Sequence, residues 1–198
     1  MKRIFITVGV ICLLAASAIA QAQTGSTAQQ SKDKMAQAKA GGTPQTGALA
    51  PADRTFVRQA AAAGMAEVEM GRLATSKASN ADVKQFGQRM VDDHSKANDE
   101  LKAWAAKKNV TLPAELEAAH KATHDRLAKL SGDAFDRAYM KQMVADHNKA
   151  VQDFTRASKT AKDADLKAWA EKTLPTLQEH QKMARDISAK LTGTSSKR

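Results

Sequence analysis

From Asp53 to Leu191 apolar residues recur at spacings of three and four, the period of helices that bury one stripe. The pattern predicts four long helices. The first covers about 53–77, with Asp53 as N-cap and a stripe of Phe56, Ala60, Gly64, Glu67, Gly71 and Ala74. Its small residues would let a neighbouring helix approach closely. The second covers about 80–109, with Val83, Phe86, Met90, His94, Ala97, Leu101 and Trp104 on one face, and Ser79 with Asp82 resembles a capping box. The third covers about 133–160, opened by Ser131-Gly132-Asp133, with a stripe of Phe135, Tyr139, Met143, His147, Ala150 and Phe154. The fourth covers about 163–191, with Leu166, Trp169, Thr173, Leu177, His180, Ala184 and Ile187 inward, and Pro175 predicts a kink. Between the second and third, Val110-Thr111-Leu112-Pro113 breaks the chain, and Pro113 suits the first turn of a shorter helix reaching about Leu130.

Short connections make the first and second helices, and the third and fourth, antiparallel neighbours, while the link between the two pairs is long. The expected fold is all-α: a ferritin-like four-helix bundle, about 53–191, with a long B–C crossover containing a short extra helix. A five-helix up-down array is the alternative. Few β-branched and aromatic residues, with aromatics at 4%, argue against a sandwich or barrel.

The first 52 residues carry no such stripe. Residues 1–22 read as a cleaved signal peptide: Lys2 and Arg3, an apolar run from Ile4 to Leu14, then small residues allowing cleavage after Ala20 or Ala22. The alternative is an uncleaved anchor, for which the run is short. Residues 23–52, rich in Gln, Ala, Thr, Ser and Gly, read as a disordered linker, and 192–198 as a flexible tail. These features place the protein in the periplasm, at the outer membrane or outside the cell. The single Cys, Cys12, lies in the leader, so the mature chain has neither disulfides nor thiolate ligands. No later apolar run is long enough to span a membrane. The net charge is +10. For an exported protein that favours anionic envelope lipid or polysaccharide as counterpart over nucleic acid, the plainer alternative being a soluble basic protein.

The candidate chemistry is on the stripes. His94, His147 and His180 face inward from the second, third and fourth helices, and Glu67 from the first. Counted from the hairpin turns, their heights agree to ~5 Å at 1.5 Å per residue. Buried polar side chains are costly unpartnered, so such a level either satisfies itself as a metal-free polar core or binds a divalent metal, for which three imidazoles and a carboxylate suit zinc, copper or iron. Asp93 and Asp146, each beside a histidine and about 100° round the helix, are supporting or alternative ligands. Met90-Val91-Asp92-Asp93-His94-Ser95-Lys96-Ala97 is echoed by Met143-Val144-Ala145-Asp146-His147-Asn148-Lys149-Ala150, and Ala81–Phe86 by Ala164–Trp169. His120 and His124 form an i, i+4 pair on the connecting helix that reads as a solvated face. No nucleophile with a His and acid context and no phosphate-cradling glycine loop appears, so a non-enzymatic role is the expectation.

The segments Ala66–Ala74, Ser79–Phe86, Met90–His94 and Phe135–Tyr139, with Leu174-Pro175 and His180, resemble the exported ferritin-like domain-of-unknown-function family 4142, whose members are described as outer-membrane or secreted proteins. The resemblance spans about 55–190 and implies an exported four-helix bundle with no established activity. Glu67, His94, His147 and His180 fall at its recurrent motif positions. Di-iron ferritin-like proteins carry Glu three residues before a ligating His; here those positions are Val91, Val144 and Leu177, which disfavours iron oxidation and storage.

Overall fold

The computed structural model describes residues 49–195. The stretch read as a signal peptide, most of that read as a linker and the end of that read as a tail lie outside the described residues. Five helices follow in order: α1 Pro51–Lys77, α2 Ala81–Lys107, α3 Ala118–Ala128, α4 Gly132–Thr160 and α5 Ala164–Ser195.

The two hairpins, α1–α2 and α4–α5, pack side by side, with α1 against α4 and α2 against α5, and α3 lies across α1 and α4. Hydrogen bonds at the two ends give the direction of each helix. The α1–α2 turn meets the start of α4 through Ser79, Asn80 and Asp136. The α4–α5 turn meets the start of α1 through Lys162, Asp163 and Asp53. The order is therefore up, down, down, up, the ferritin-like connectivity expected from the long crossover.

The helix ends depart from expectation in instructive ways. Asp53 is not the N-cap of α1, which begins at Pro51 after Ala50. Its carboxylate is 3% exposed and instead accepts the backbone N–H groups of Lys162 and Asp163 at 2.9 and 2.8 Å. The cap of α2 is Asn80, which accepts from Asp82 and Val83, rather than Ser79. Ser79 is drawn away by Asp136 of α4, which accepts its hydroxyl at 2.6 Å and its N–H at 3.2 Å. Tertiary partners thus outbid the local caps that spacing suggests. α2 stops at Lys107 because Asn109 turns left-handed (φ 54°), letting Val110 N–H reach Ala105 O at 2.9 Å and Asn109 N–H reach Ala106 O.

The crossover helix is shorter than expected, and Pro113 lies before it rather than in its first turn. The reason is reach. Residues 108–131 must return along the whole bundle, and extended backbone covers ~3.3 Å per residue against 1.5 Å in a helix. Leu112 packs on the core at the lower end and Leu116 on the core at the upper end, so the stretch between them travels along the bundle. α5 continues as helix through Pro175.

The core has an upper cluster, including Met70, Phe86, Met90, Phe135, Tyr139, Met143 and Ile187, and lower clusters around Val57, Leu101, Trp104, Leu166, Phe154 and Leu177. Between them lies the layer of histidines. α1 and α2 cross closely where Gly71 meets Gly87: a Cβ on Gly71 would sit 2.7 Å from Gly87 O, and one on Gly87 would sit 2.5 Å from Ala74 Cβ. Among the described residues no helix is long and apolar enough to cross a membrane.

Candidate metal centre

His94, His147 and His180 come from α2, α4 and α5 and converge at mid-height. Their ring centroids are 5.7, 5.5 and 5.3 Å apart, and one nitrogen from each lies within 4.8 Å of the other two. The ring of Phe86 closes the layer from above, edge-on to His147 and His180. His147 and His180 are 1% and 0% exposed.

Each ring is oriented from outside the cluster or left free inside it. His147 Nδ1 donates to Met143 O, one turn earlier on its own helix, at 3.0 Å. That leaves Nε2 as the lone-pair nitrogen. His180 Nε2 is 2.8 Å from Asp93 Oδ2, and donating there leaves Nδ1 bare. His147 Nε2, His180 Nδ1 and His94 Nε2 are buried and have no hydrogen-bond partner. A carbonyl and a carboxylate behind two rings, with unshared nitrogens in front, is the support that metal-binding histidines have in general.

The electrostatics agree. Burial, then the neighbouring rings, holds His94 well below the ordinary imidazole value. His147 is held down to about 4 by burial and by His180. Burial lowers His180 too, opposed by its hydrogen bond to Asp93. Neutral imidazoles are the form that ligates. Partial burial pushes Asp93 up, but hydrogen bonds from His180 and from Arg89 Nε at 3.1 Å outweigh it, and it stays an anion. Arg89 continues outward to Glu179 at 2.7 Å.

An ion about 2.0–2.1 Å from three imidazole nitrogens in a tetrahedral site brings them to roughly 3.4 Å from one another, so the rings have about an ångström each to close. Three protein ligands leave one position open.

Of the four residues that periodicity placed inward, three share the cluster. Glu67 stands outside it. It is 5% exposed, its Oε2 has no partner, and burial followed by the nearby Asp146 raises its pKa well above the carboxylate range. Asp93 supports not its neighbour in sequence, His94, but His180 across the α2–α5 interface. Asp146 does not back His147. It accepts from Gln142 at 3.0 Å, and its own pKa is raised by burial. His120, expected on a solvated face, is half-buried with Nδ1 unpartnered and lies with Glu67 and Asp146 on the wall of a cavity beside the cluster. Its partner in the i, i+4 pair, His124, contacts Asp125 at the surface. The signal missed in the sequence was that α3 covers the α1–α4 face, which turns one side of the crossover inward.

A domain-of-unknown-function family, DUF4142, matches residues 38–187. No curated protein is significantly similar in sequence. A DUF305 fragment from Deinococcus radiodurans superposes with a TM-score of 0.64 at 11% identity, covering 72% of this chain and 98% of that one. CopM in its Cu(II)-bound form superposes with a TM-score of 0.60 at 18% identity, covering 70% and 96%. A DUF305 protein from Streptomyces coelicolor, provisionally described as secreted, gives 0.62 at 14% identity, covering 71% and 92%. At such identities the likeness is one of fold.

Proposed function

The chain belongs to the DUF4142 family, and from that premise we propose that it is an exported helical bundle that binds one transition-metal ion through His94, His147 and His180, in sequestration or envelope stress tolerance. The observation that carries this is a set of three imidazoles that bring one nitrogen each within 4.8 Å of the others, each ring having one buried nitrogen with no hydrogen-bond partner. Leaving three polar atoms unsatisfied at one level costs stability for no structural gain, whereas an ion satisfies all three at once.

Copper is the favoured ion. An all-imidazole site suits copper or zinc, and Cu(II) stands highest in the divalent affinity order. CopM, similar in fold, has been solved with Cu(II), Cu(I) and Ag bound. Asp93 and the Met143 carbonyl orient the rings, and Glu67 belongs to the adjoining cavity rather than to the ligand set. The excess of Lys and Arg suits an anionic envelope surface, and binding to anionic vesicles that weakens with added salt would support that attachment.

Calorimetry and electron paramagnetic resonance of tag-free protein titrated with Cu(II) test the centre. One equivalent with nitrogen hyperfine splitting is expected, lost in His147→Ala and His180→Ala. Unchanged stoichiometry and spectrum in both variants would sink the assignment.

A further inference from the structure

Beside the histidine layer lies a cavity of about 240 Å³, bordered by α1, α2, α4 and α5, with Glu117 and His120 at the α3 edge; it opens to solvent past the exposed Gln59, Ala63 and Lys149. An apolar void of ~150 Å³ is enough to take up benzene. Small side chains create the room: Ala60 on α1 and Ala150 on α4 stand where larger ones would fill it. Protein interiors are normally packed to the density of organic crystals, so space of this size reaching into the bundle is room for a ligand or for water.

The cavity is amphipathic. One end is an aromatic wall of Phe56, Phe154 and Trp169, with ring centroids 5.0, 6.2 and 5.2 Å apart. The other end carries Glu67, buried, with Oε2 unpartnered. Of the seven buried side-chain polar atoms without a partner among the described residues, five belong to residues on this wall: Glu67, His94, His120, His147 and Trp169. Two of those are taken by the proposed metal centre. Glu67, His120 and Trp169 are not, and buried polar atoms are seldom left orphaned without a reason.

We propose that this cavity binds a small aromatic molecule with an oxygen head group, of the phenol class, its ring against Phe56, Phe154 and Trp169 and its oxygen hydrogen-bonded to Glu67. A flat ring suits a wall of aromatic edges and faces, where such pairs gain beyond their buried area. The Glu67 carboxyl accepts from a phenol O–H whether or not it carries a proton. Neither contact requires a metal, although His94 and His147 of the metal centre also border the cavity.

The test uses the metal-free mature chain with p-cresol as probe and toluene as the ring without the head group, followed by calorimetry and saturation-transfer NMR. The expected result is saturable one-to-one p-cresol binding in the millimolar range or tighter, about tenfold stronger than toluene. Ala60→Phe, which fills the aromatic end, should weaken p-cresol at least about tenfold, and Glu67→Leu should erase its advantage over toluene. Ala150→Leu narrows the same space and replaces Ala60→Phe if that variant fails to fold. No saturable binding of p-cresol, equal affinity for toluene, or binding unchanged in the filled variants overturns the proposal. Loss of copper binding in the histidine variants bears only on the metal centre.

Discussion

At His147 the folded protein holds an imidazole at about 4, against about 6.5 in an unfolded chain. Between those values the unfolded chain binds more protons than the folded one, so stability rises with pH across that window. The contribution is complete above about pH 6.5, is lost as pH falls toward 4, and is on the order of 3 kcal/mol for this ring. His94 and His180 are shifted the same way and steepen the loss. Urea midpoints of the metal-free protein should fall between pH 7 and 4.5, and His147→Leu should flatten that slope. Parallel slopes in the two proteins would show that the ring is not buried as described. The same substitution separates stability from function: replacing a buried imidazole whose Nε2 has no partner by an apolar side chain of similar size is expected to leave the metal-free protein about as stable as before, while copper binding disappears. Asp93→Asn should keep the cluster but cost about 10–100-fold in metal affinity, because His180 loses the carboxylate that sets its tautomer. Competition against a chelator of known affinity measures it.

Among the elements, the two hairpins hold each other by exchange. Asp136 at the start of α4 caps the α1–α2 turn, and Asp53 at the start of α1 caps the α4–α5 turn. Both are buried, at 1% and 3% exposure, and both are satisfied by backbone N–H groups of the other hairpin. Asp136→Ala removes the acceptor of two backbone N–H groups and a hydroxyl, and should cost about 2–4 kcal/mol, read as a shift of the denaturant midpoint. A loss under about 0.5 kcal/mol would mean that water takes over the turn. The closest crossing of α1 and α2 gives a second handle. Gly87→Val puts two methyls where the first Cβ already meets Ala74 at 2.5 Å, so the helices must part, at about 1–3 kcal/mol or more.

At the scale of the whole molecule the proposed metal centre would tie three of the four long helices together, so an ion bound only by the folded state should stabilise the entire bundle. At free copper of 100 times its dissociation constant the gain is about 2.7 kcal/mol. For a domain of this size that raises Tm by about 5–11 °C. Thermal melts with and without Cu(II), and with a chelator added back, measure it. A Tm that ignores copper in the native protein, or that still responds in His94→Ala, argues against a shared centre.

The residues themselves settled a good deal before any contact was known. Period and connection length specify helices, hairpins and crossover, because the hydrophobic stripe and the short turns are local properties. The inward placement of His94, His147 and His180 followed from the same stripes, and their common height from counting turns. What periodicity cannot supply is which neighbour a side chain finds. Asp53 and Ser79 each sit at a helix start with a good local cap to make, and each is claimed by, or claims, a group more than 50 residues away. Asp93 stands beside His94 but serves His180. Glu67 shares the inward face yet stays out of the cluster, and His120 is turned inward only because α3 lies across α1 and α4. The cavity has no sequence signature at all, since it arises where alanines such as Ala60 and Ala150 on separate helices face the same space. Stripe, turn and height are written in spacings of a few residues; partner, tautomer and empty space depend on how five helices pack, and packing is decided by the whole set of side chains at once.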